Sequence, residues 1–124
     1  MYYVRARGTN RDVDFRLTNL VTTSGSQVDV GGTAARDVYT WTHTGTQQQL
    51  LVNSVTYSFA ANAQVQIQGG SGADSILVRG GSGAENITTR PGSVELVGSN
   101  YRLTASSIEQ TIVQGDLNDR VTMY

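Results

Sequence analysis

The acidic residues are the ones whose types and spacing could do chemistry. Asp74 and Glu85 hold the same place in two consecutive 11-residue segments, GGSGADSILVR (69–79) and GGSGAENITTR (80–90). A third stretch, QGDLNDRVT (114–122), carries Asp116 and Asp119 in a related setting. A carboxylate beside a glycine turn commonly caps its own backbone. Two carboxylates at a fixed separation are also the acid–base couple of glycoside hydrolysis. Pairs such as Asp12/Asp14 and Asp116/Asp119, scattered on turns, read as solvated turn residues rather than such a couple. His43 is the single histidine, sits in the loop-like THTGT and reads as a surface residue. There is no cysteine and no serine in a G-x-S-x-G elbow, so a triad has no base–nucleophile pair to recruit. The expectation is a protein that is not an enzyme.

The elements that must position these residues are strands. Glycine clusters let the chain turn with φ > 0, and the β-branched residues behind them (Ile76, Ile87) favour an extended, half-buried strand. Short alternating runs recur between turn signals: YYVRA (2–6), DVDFRL (12–17), QVDV (27–30), DVYTWT (37–42), QLLV (49–52), VTYSF (55–59), QVQI (64–67), SILV (75–78), NITT (86–89), VELV (94–97), YRLTA (101–105), QTIV (110–113) and RVTMY (120–124). With 14 glycines, one proline and no lysine, strong helix formers are scarce. Residues 104–112 come nearest to a helical stripe, enough for a single turn. The fold class is all-β.

A longer repeat favours a β-solenoid, parallel and β-helix-like, within that class. Residues 31–79 begin GGTAARDVYTW and residues 80–124 begin GGSGAENITTR; further on, Tyr57 matches Tyr101, Asp74 matches Asp119 and Ile76 matches Val121. A unit of roughly 45 residues suits two coils of a β-helix. The whole chain, 1–124, is then one domain of five to six rungs: a partial repeat over 1–30 and full ones over 31–79 and 80–124. Ile76, Ile87 and Val121 should share a core of mostly parallel strands, and Tyr57 should stack near Tyr101. Tyr39 and Trp41, on the strand face opposite Val38 and Thr40, are expected outside it as a contact surface for a protein or surface glycans.

The nonapeptides GGSGADSIL and GGSGAENIT resemble the G-G-x-G-x-D-x-U-x repeat of hemolysin-type (RTX) calcium-binding proteins, and the longer pattern resembles repetitive β-helical surface and stalk proteins of bacteria. The tandem spacing here is 11 residues where that family has nine, and Glu85 stands at an Asp position. The resemblance implies an extracellular or cell-surface location. No cofactor is required, and Ca²⁺ is the one implied. Its side-chain ligands would be Asp74, Asp116 and Asp119, helped by carbonyl oxygens of the glycine turns.

The net charge of −1 gives no reason to expect nucleic acid as a partner, and no run approaches the roughly 18 apolar residues of a membrane span. The partner expected is a second copy of the chain. YYVRA and RVTMY are β-prone and carry no polar cap, so Tyr2, Tyr3, Val121, Met123 and Tyr124 would form a head-to-tail seam. The function expected is that of a subunit or segment of an extracellular filament, stalk or adhesin. The alternative is a calcium-dependent or carbohydrate-binding module of a larger secreted protein.

Overall fold

A computed structural model describes residues 20–124 of the chain; Tyr2, Tyr3, the acidic pair Asp12/Asp14 and the runs 2–6 and 12–17 lie outside the described residues. Among the described residues there are twelve strands and no helix. In chain order they are β1 (Val21–Ser24), β2 (Gln27–Gly31), β3 (Val38–His43), β4 (Gln47–Val52), β5 (Val55–Ala60), β6 (Gln64–Gln68), β7 (Ser75–Arg79), β8 (Asn86–Arg90), β9 (Ser93–Val97), β10 (Arg102–Ser106), β11 (Gln110–Gln114) and β12 (Arg120–Met123). The stretch 104–112 forms no helical turn; it is the end of β10, a corner at Ser107 (φ 55°) and the start of β11.

The strands form two mixed sheets. One has seven strands in the order β1-β2-β6-β10-β9-β8-β12, the other five in the order β11-β7-β3-β4-β5. The chain crosses from the first to the second between β2 and β3, β6 and β7, and β10 and β11. It crosses back between β5 and β6, between β7 and β8 and between β11 and β12. The two 11-residue segments are therefore consecutive crossings in opposite directions. β2, β6 and β10 pair in parallel, as do β3, β7 and β11, and β8 with β12.

Three sequence expectations need correction here. A regular coil is not what these sheets make, because β9 and β10 lie between β6 and β8. The pairing is also not mostly parallel: hairpins contribute as many antiparallel pairs as the crossings contribute parallel ones. The β4–β5 hairpin turns at Asn53 and Ser54, both with positive φ (47° and 74°), as a two-residue hairpin turn requires. The β8–β9 hairpin turns at Pro91-Gly92, with φ +78° at the glycine. Third, the spatial repeat is not 45 residues. Val28 lies beside Val65 and Tyr39 beside Ile76, 37 apart, whereas Thr88 lies beside Thr122, 34 apart.

Register builds the core as rows running across each sheet. In the seven-stranded sheet one row is Val28, Val65, Leu103, Leu96, Ile87 and Val121. In the other sheet a row runs Tyr57, Leu50, Trp41, Val78 and Val113. Rows from both sheets join one buried apolar cluster. Tyr39 and Trp41 are 1% and 0% exposed, so the contact surface expected of them is instead core. The period-two alternation was right and the choice of face was not: the larger aromatic faces gain more by burial than Val38 and Thr40. The Trp41 indole N–H is satisfied inside, donating to Gln48 Oε1 at 3.0 Å, while Gln48 Nε2 donates to Ala61 O and Ala63 O. Tyr57 sits on the outer strand β5 two strands from Trp41, and the rings packed against Tyr101 are those of His43 and Trp41, not Tyr57.

Candidate functional site

Five of the six crossings deliver an acidic residue to the position just before a strand; the β5–β6 crossing, Ala61-Asn62-Ala63, carries none. Asp37 precedes β3, Asp74 precedes β7, Glu85 precedes β8, Glu109 precedes β11 and Asp119 precedes β12. Parallel pairing then stacks these positions into two columns, Asp37–Asp74–Glu109 and Glu85–Asp119. Within a column each carboxylate accepts the backbone N–H of the acidic residue one layer before it. Asp37 N–H donates to Asp74 Oδ1 at 2.8 Å, Asp74 N–H to Glu109 Oε2 at 2.6 Å and Glu85 N–H to Asp119 Oδ1 at 3.0 Å. These N–H groups face the neighbouring layer where the crossing leaves them no sheet partner, and a carboxylate is the strongest acceptor available.

The first acid also closes its own turn: Asp37 Oδ2 accepts Thr33 N–H at 2.6 Å, and its Oδ1 accepts Asn53 Nδ2 at 2.6 Å. The last does likewise, with Asp116 N–H donating to Asp119 Oδ2 at 2.7 Å. Tight stacking of the turns needs glycine. A Cβ on Gly32 would lie 1.8 Å from Gly69 O, and one on Gly69 would lie 2.1 Å from Ser107 O.

The second column carries the most chemistry. Glu85 is 1% exposed. Its Oε1 accepts the Tyr101 hydroxyl, while its Oε2 is buried with no N–H or O–H donor. The Asp119 carboxylate is the neighbour on that side: a single point beside Gly80 lies 2.7 Å from Glu85 Oε2 and 3.4 Å from Asp119 Oδ2. Burial, and next the contact with Asp119, push the Glu85 carboxyl up to about 7. Asp119 moves the other way: its partial burial raises it, but bonds from the Glu85 carboxyl and from backbone N–H groups outweigh that and leave it lowered. Tyr101 is raised, first by burial and then by Glu85.

His43 completes the cluster, and it is not a surface loop residue. It ends β3 on the inward face, and its ring stacks on Tyr101 with centroids 3.9 Å apart and planes 14° from parallel. Its Nδ1 accepts Gly45 N–H at 3.1 Å and its Nε2 donates to Ala61 O at 3.2 Å, so both ring nitrogens are engaged by backbone. A small cleft of about 230 Å³ lies outside this stack, bordered by His43, Tyr101, Ser82 and Asn100.

The three side chains expected to ligate Ca²⁺ do not converge. Asp116 and Asp119 share one turn, while Asp74 belongs to the other column and is occupied with Asp37 N–H. Among the described residues, no group of three or more His, Asp or Glu side chains is placed to hold a metal ion. The family's ligand arrangement, with six to eight oxygens around the ion, is thus not matched by these three residues. Asp74 Oδ2 is buried without a hydrogen-bond donor, as is the Tyr39 hydroxyl. Sequence reasoning missed His43, Tyr101 and Glu85 as one cluster, since nothing in their spacing marks them as neighbours.

Of the seam residues, Val121, Met123 and Tyr124 are described, and they fall at one end of the described structure. β11 and β12 are the outer strands of the two sheets, and between them opens a cleft of about 450 Å³ bordered by Ile108, Thr111, Val113, Val121 and Met123. Val121, Met123 and Tyr124 are exposed there. Comparison with known protein families, with characterised proteins and with solved structures finds no match.

Proposed function

We propose that the chain is a structural module that assembles with further copies of itself through the β11–β12 end, as the subunit of a filament or stalk. The observation that supports this most is the open end of the core. Val121 belongs to the same row as Ile87 and points the same way, yet it is 46% exposed against 1% for Ile87. Nothing among the described residues lies on its other side.

The backbone at this end is equally open. Arg120 N–H and Tyr124 N–H donate to Glu85 O and Thr89 O, so in a parallel ladder Thr122 faces β8 with them. Val121 and Met123, of the opposite parity, turn their N–H and C=O groups outward. On β11, Gln110 N–H donates to Asp74 O, which by the same parity leaves Thr111 and Val113 facing out. Two adjacent open edges around an apolar cleft form a template for further strands.

A second copy fits this template because, among the described residues, β5 is the outer strand at the other side of the five-stranded sheet. Two antiparallel steps make β5 parallel to β3 and hence to β11. A translated copy would set its β5 beside β11 in the pairing sense that β7 and β11 already use. Such a contact is heterologous and does not close, so it propagates.

Sedimentation velocity and negative-stain microscopy of the 124-residue chain over a concentration series test the proposal. Elongated, concentration-dependent species are expected. Val121→Pro, which deletes an outward N–H and spares the bonds to β8, should suppress them. A wild-type chain that stays monomeric at several hundred micromolar would refute it.

A further inference from the structure

We infer that the outer face of the five-stranded sheet pairs with the same face of a second copy, through an apolar row that crosses all five strands. Register builds that row from Thr56, Leu51, Thr40, Leu77 and Ile112, one residue from each strand. Their sequence neighbours Tyr39, Trp41, Leu50, Ile76 and Val78 fill the core, so alternation turns the row away from it. Single apolar side chains on the solvent side of a strand are ordinary; aligned in register they make a continuous stripe.

The two outer faces of the molecule differ. On the seven-stranded sheet the outward positions include Asp29, Arg90, Glu95, Arg102 and Arg120, with Val97 as the one large exposed hydrophobic. On the five-stranded sheet Arg79 is the single outward charge, while Val38, Leu51 and Ile112 are all exposed. Polar, uncharged Ser58, Gln49, Thr42 and Gln114 form most of the row beside the stripe.

The occupant that fits is the face itself. A strongly charged partner would meet one arginine there. Among the described residues the face carries no aromatic ring, since Tyr39 and Trp41 point inward, so it lacks a platform on which a sugar could stack. A two-fold axis along the stripe lays it on its own image, apolar against apolar. The two Arg79 side chains then fall on opposite sides of the stripe. They are four residues apart along the strands, roughly 13 Å. That exceeds the screening length of about 10 Å at 0.1 M salt. Each Arg79 is also held within its own copy, its Nε donating to Gln114 Oε1 at 2.9 Å.

Area sets the strength. Five strands about 4.8 Å apart and five residues of about 3.3 Å give a footprint of roughly 400 Å². A stable interface needs about 800 Å² per partner, so one pair of copies associates weakly. The stripe runs from β5 to β11, the strands that the function proposed above joins between copies. Along such an array it is carried on from copy to copy, and the weak contacts act together. Side-by-side pairing of filaments rests on that function; the contact between two single copies does not.

The Val121→Pro chain, confined to short species at the seam, isolates the contact. Its Leu51, Leu77 and Ile112 methyl groups, followed by NMR over a concentration series, should shift together, with a dissociation constant on the order of 1 mM, as a small interface gives. Leu51→Lys in that chain should weaken association at least tenfold. Val97→Lys is the matched control on the other outer face, Leu51 and Val97 being 37% and 39% exposed, and should leave it unchanged. Should Leu51→Lys unfold, Leu51→Gln takes its place, with a smaller loss in the same direction. Methyl groups unmoved by concentration, or equal effects of the two lysines, would overturn the proposal. So would methyl groups shielded from a soluble paramagnetic agent in the dilute chain, which would assign the face to residues 1–19 of the same chain. If Val121→Pro still polymerises, the seam is refuted and microscopy decides for the face: bundles lost with Leu51→Lys and kept with Val97→Lys uphold it, and any other pattern overturns it.

Discussion

Ile87 and Val121 lie side by side in one row of the seven-stranded sheet, on strands of the same direction and with β-branched side chains aimed at the same core. One is buried and the other is nearly half exposed. The same contrast holds in the five-stranded sheet, where Val78 is fully buried and its neighbour Val113 is not. Side-chain chemistry and orientation are constant across these pairs; only the presence of a layer beyond differs. An inner layer receives contacts from both sides, and the terminal layer from one. In these sheets, then, position in the strand order decides burial as much as residue type does.

The comparison breaks or holds most visibly in core truncations. Ile87→Ala removes three carbons enclosed on all sides and should cost about 3 kcal/mol, whereas Val121→Ala in the monomer should cost less than about 1 kcal/mol. Urea unfolding of the two variants checks this; equal losses would mean that the terminal layer is as enclosed as the inner one. A second contrast lies in the acidic columns. Asp74→Ala strips the acceptor from the Asp37 N–H and should cost about 1–3 kcal/mol, the penalty for a buried donor left unbonded. Asp116→Ala, on the exposed turn of the last layer, should change stability by no more than about 0.5 kcal/mol. Thermal denaturation at pH 6 compares them.

A sharper test uses the seam itself. Val121→Pro should leave monomer stability within about 1 kcal/mol of wild type, since its N–H points away from β8, while weakening self-association. If the variant unfolds instead, the assigned parity of β12 is wrong. The smallest effect belongs to Tyr124, whose ring lies 4.6 Å from the Arg90 guanidinium carbon at the exposed edge. Tyr124→Leu should cost about 0.5 kcal/mol, as cation–π contacts in water do, and the loss should be visible only in a well-determined denaturation series.

Much of the local structure was legible from the residues. The runs from QVDV to RVTMY coincide with β2 to β12 to within two residues at each end. Glycine and proline punctuate where the backbone requires positive φ or a tight turn, and β-branched residues fill what lies between. β1, VTTS, escaped notice because three of its four residues are polar and exposed, leaving no alternating signal. Asp74, Glu85 and Asp119 lie at the turns where the sequence puts them, whereas Asp37 and Glu109, read inside a strand run and a helical turn, also stand just before strands; the roles of all five were not readable. Five of the six crossings use the same chemistry, a turn followed by an acid and a strand, whichever sheet they lead to. Aligning the turns therefore matched Asp74 with Asp119. In space Asp74 stacks with Asp37 and Glu109, and Asp119 with Glu85.

By itself, then, the sequence determined the class, the strand positions and the turns, because these follow from φ/ψ preferences and side-chain alternation within a few residues. The tertiary structure alone decided which face of β3 is buried, which strands pair and which acids meet. Those outcomes depend on two hairpins, β4–β5 and β8–β9, that lengthen the path between layers by different amounts. They depend also on competition for the interior: Tyr39 and Trp41 prevailed over Val38 and Thr40 because they bury more apolar surface. The meeting of His43, Tyr101, Glu85 and Asp119 is a product of that packing. Contacts between residues so far apart in sequence are selected by the global arrangement of layers and by no local preference.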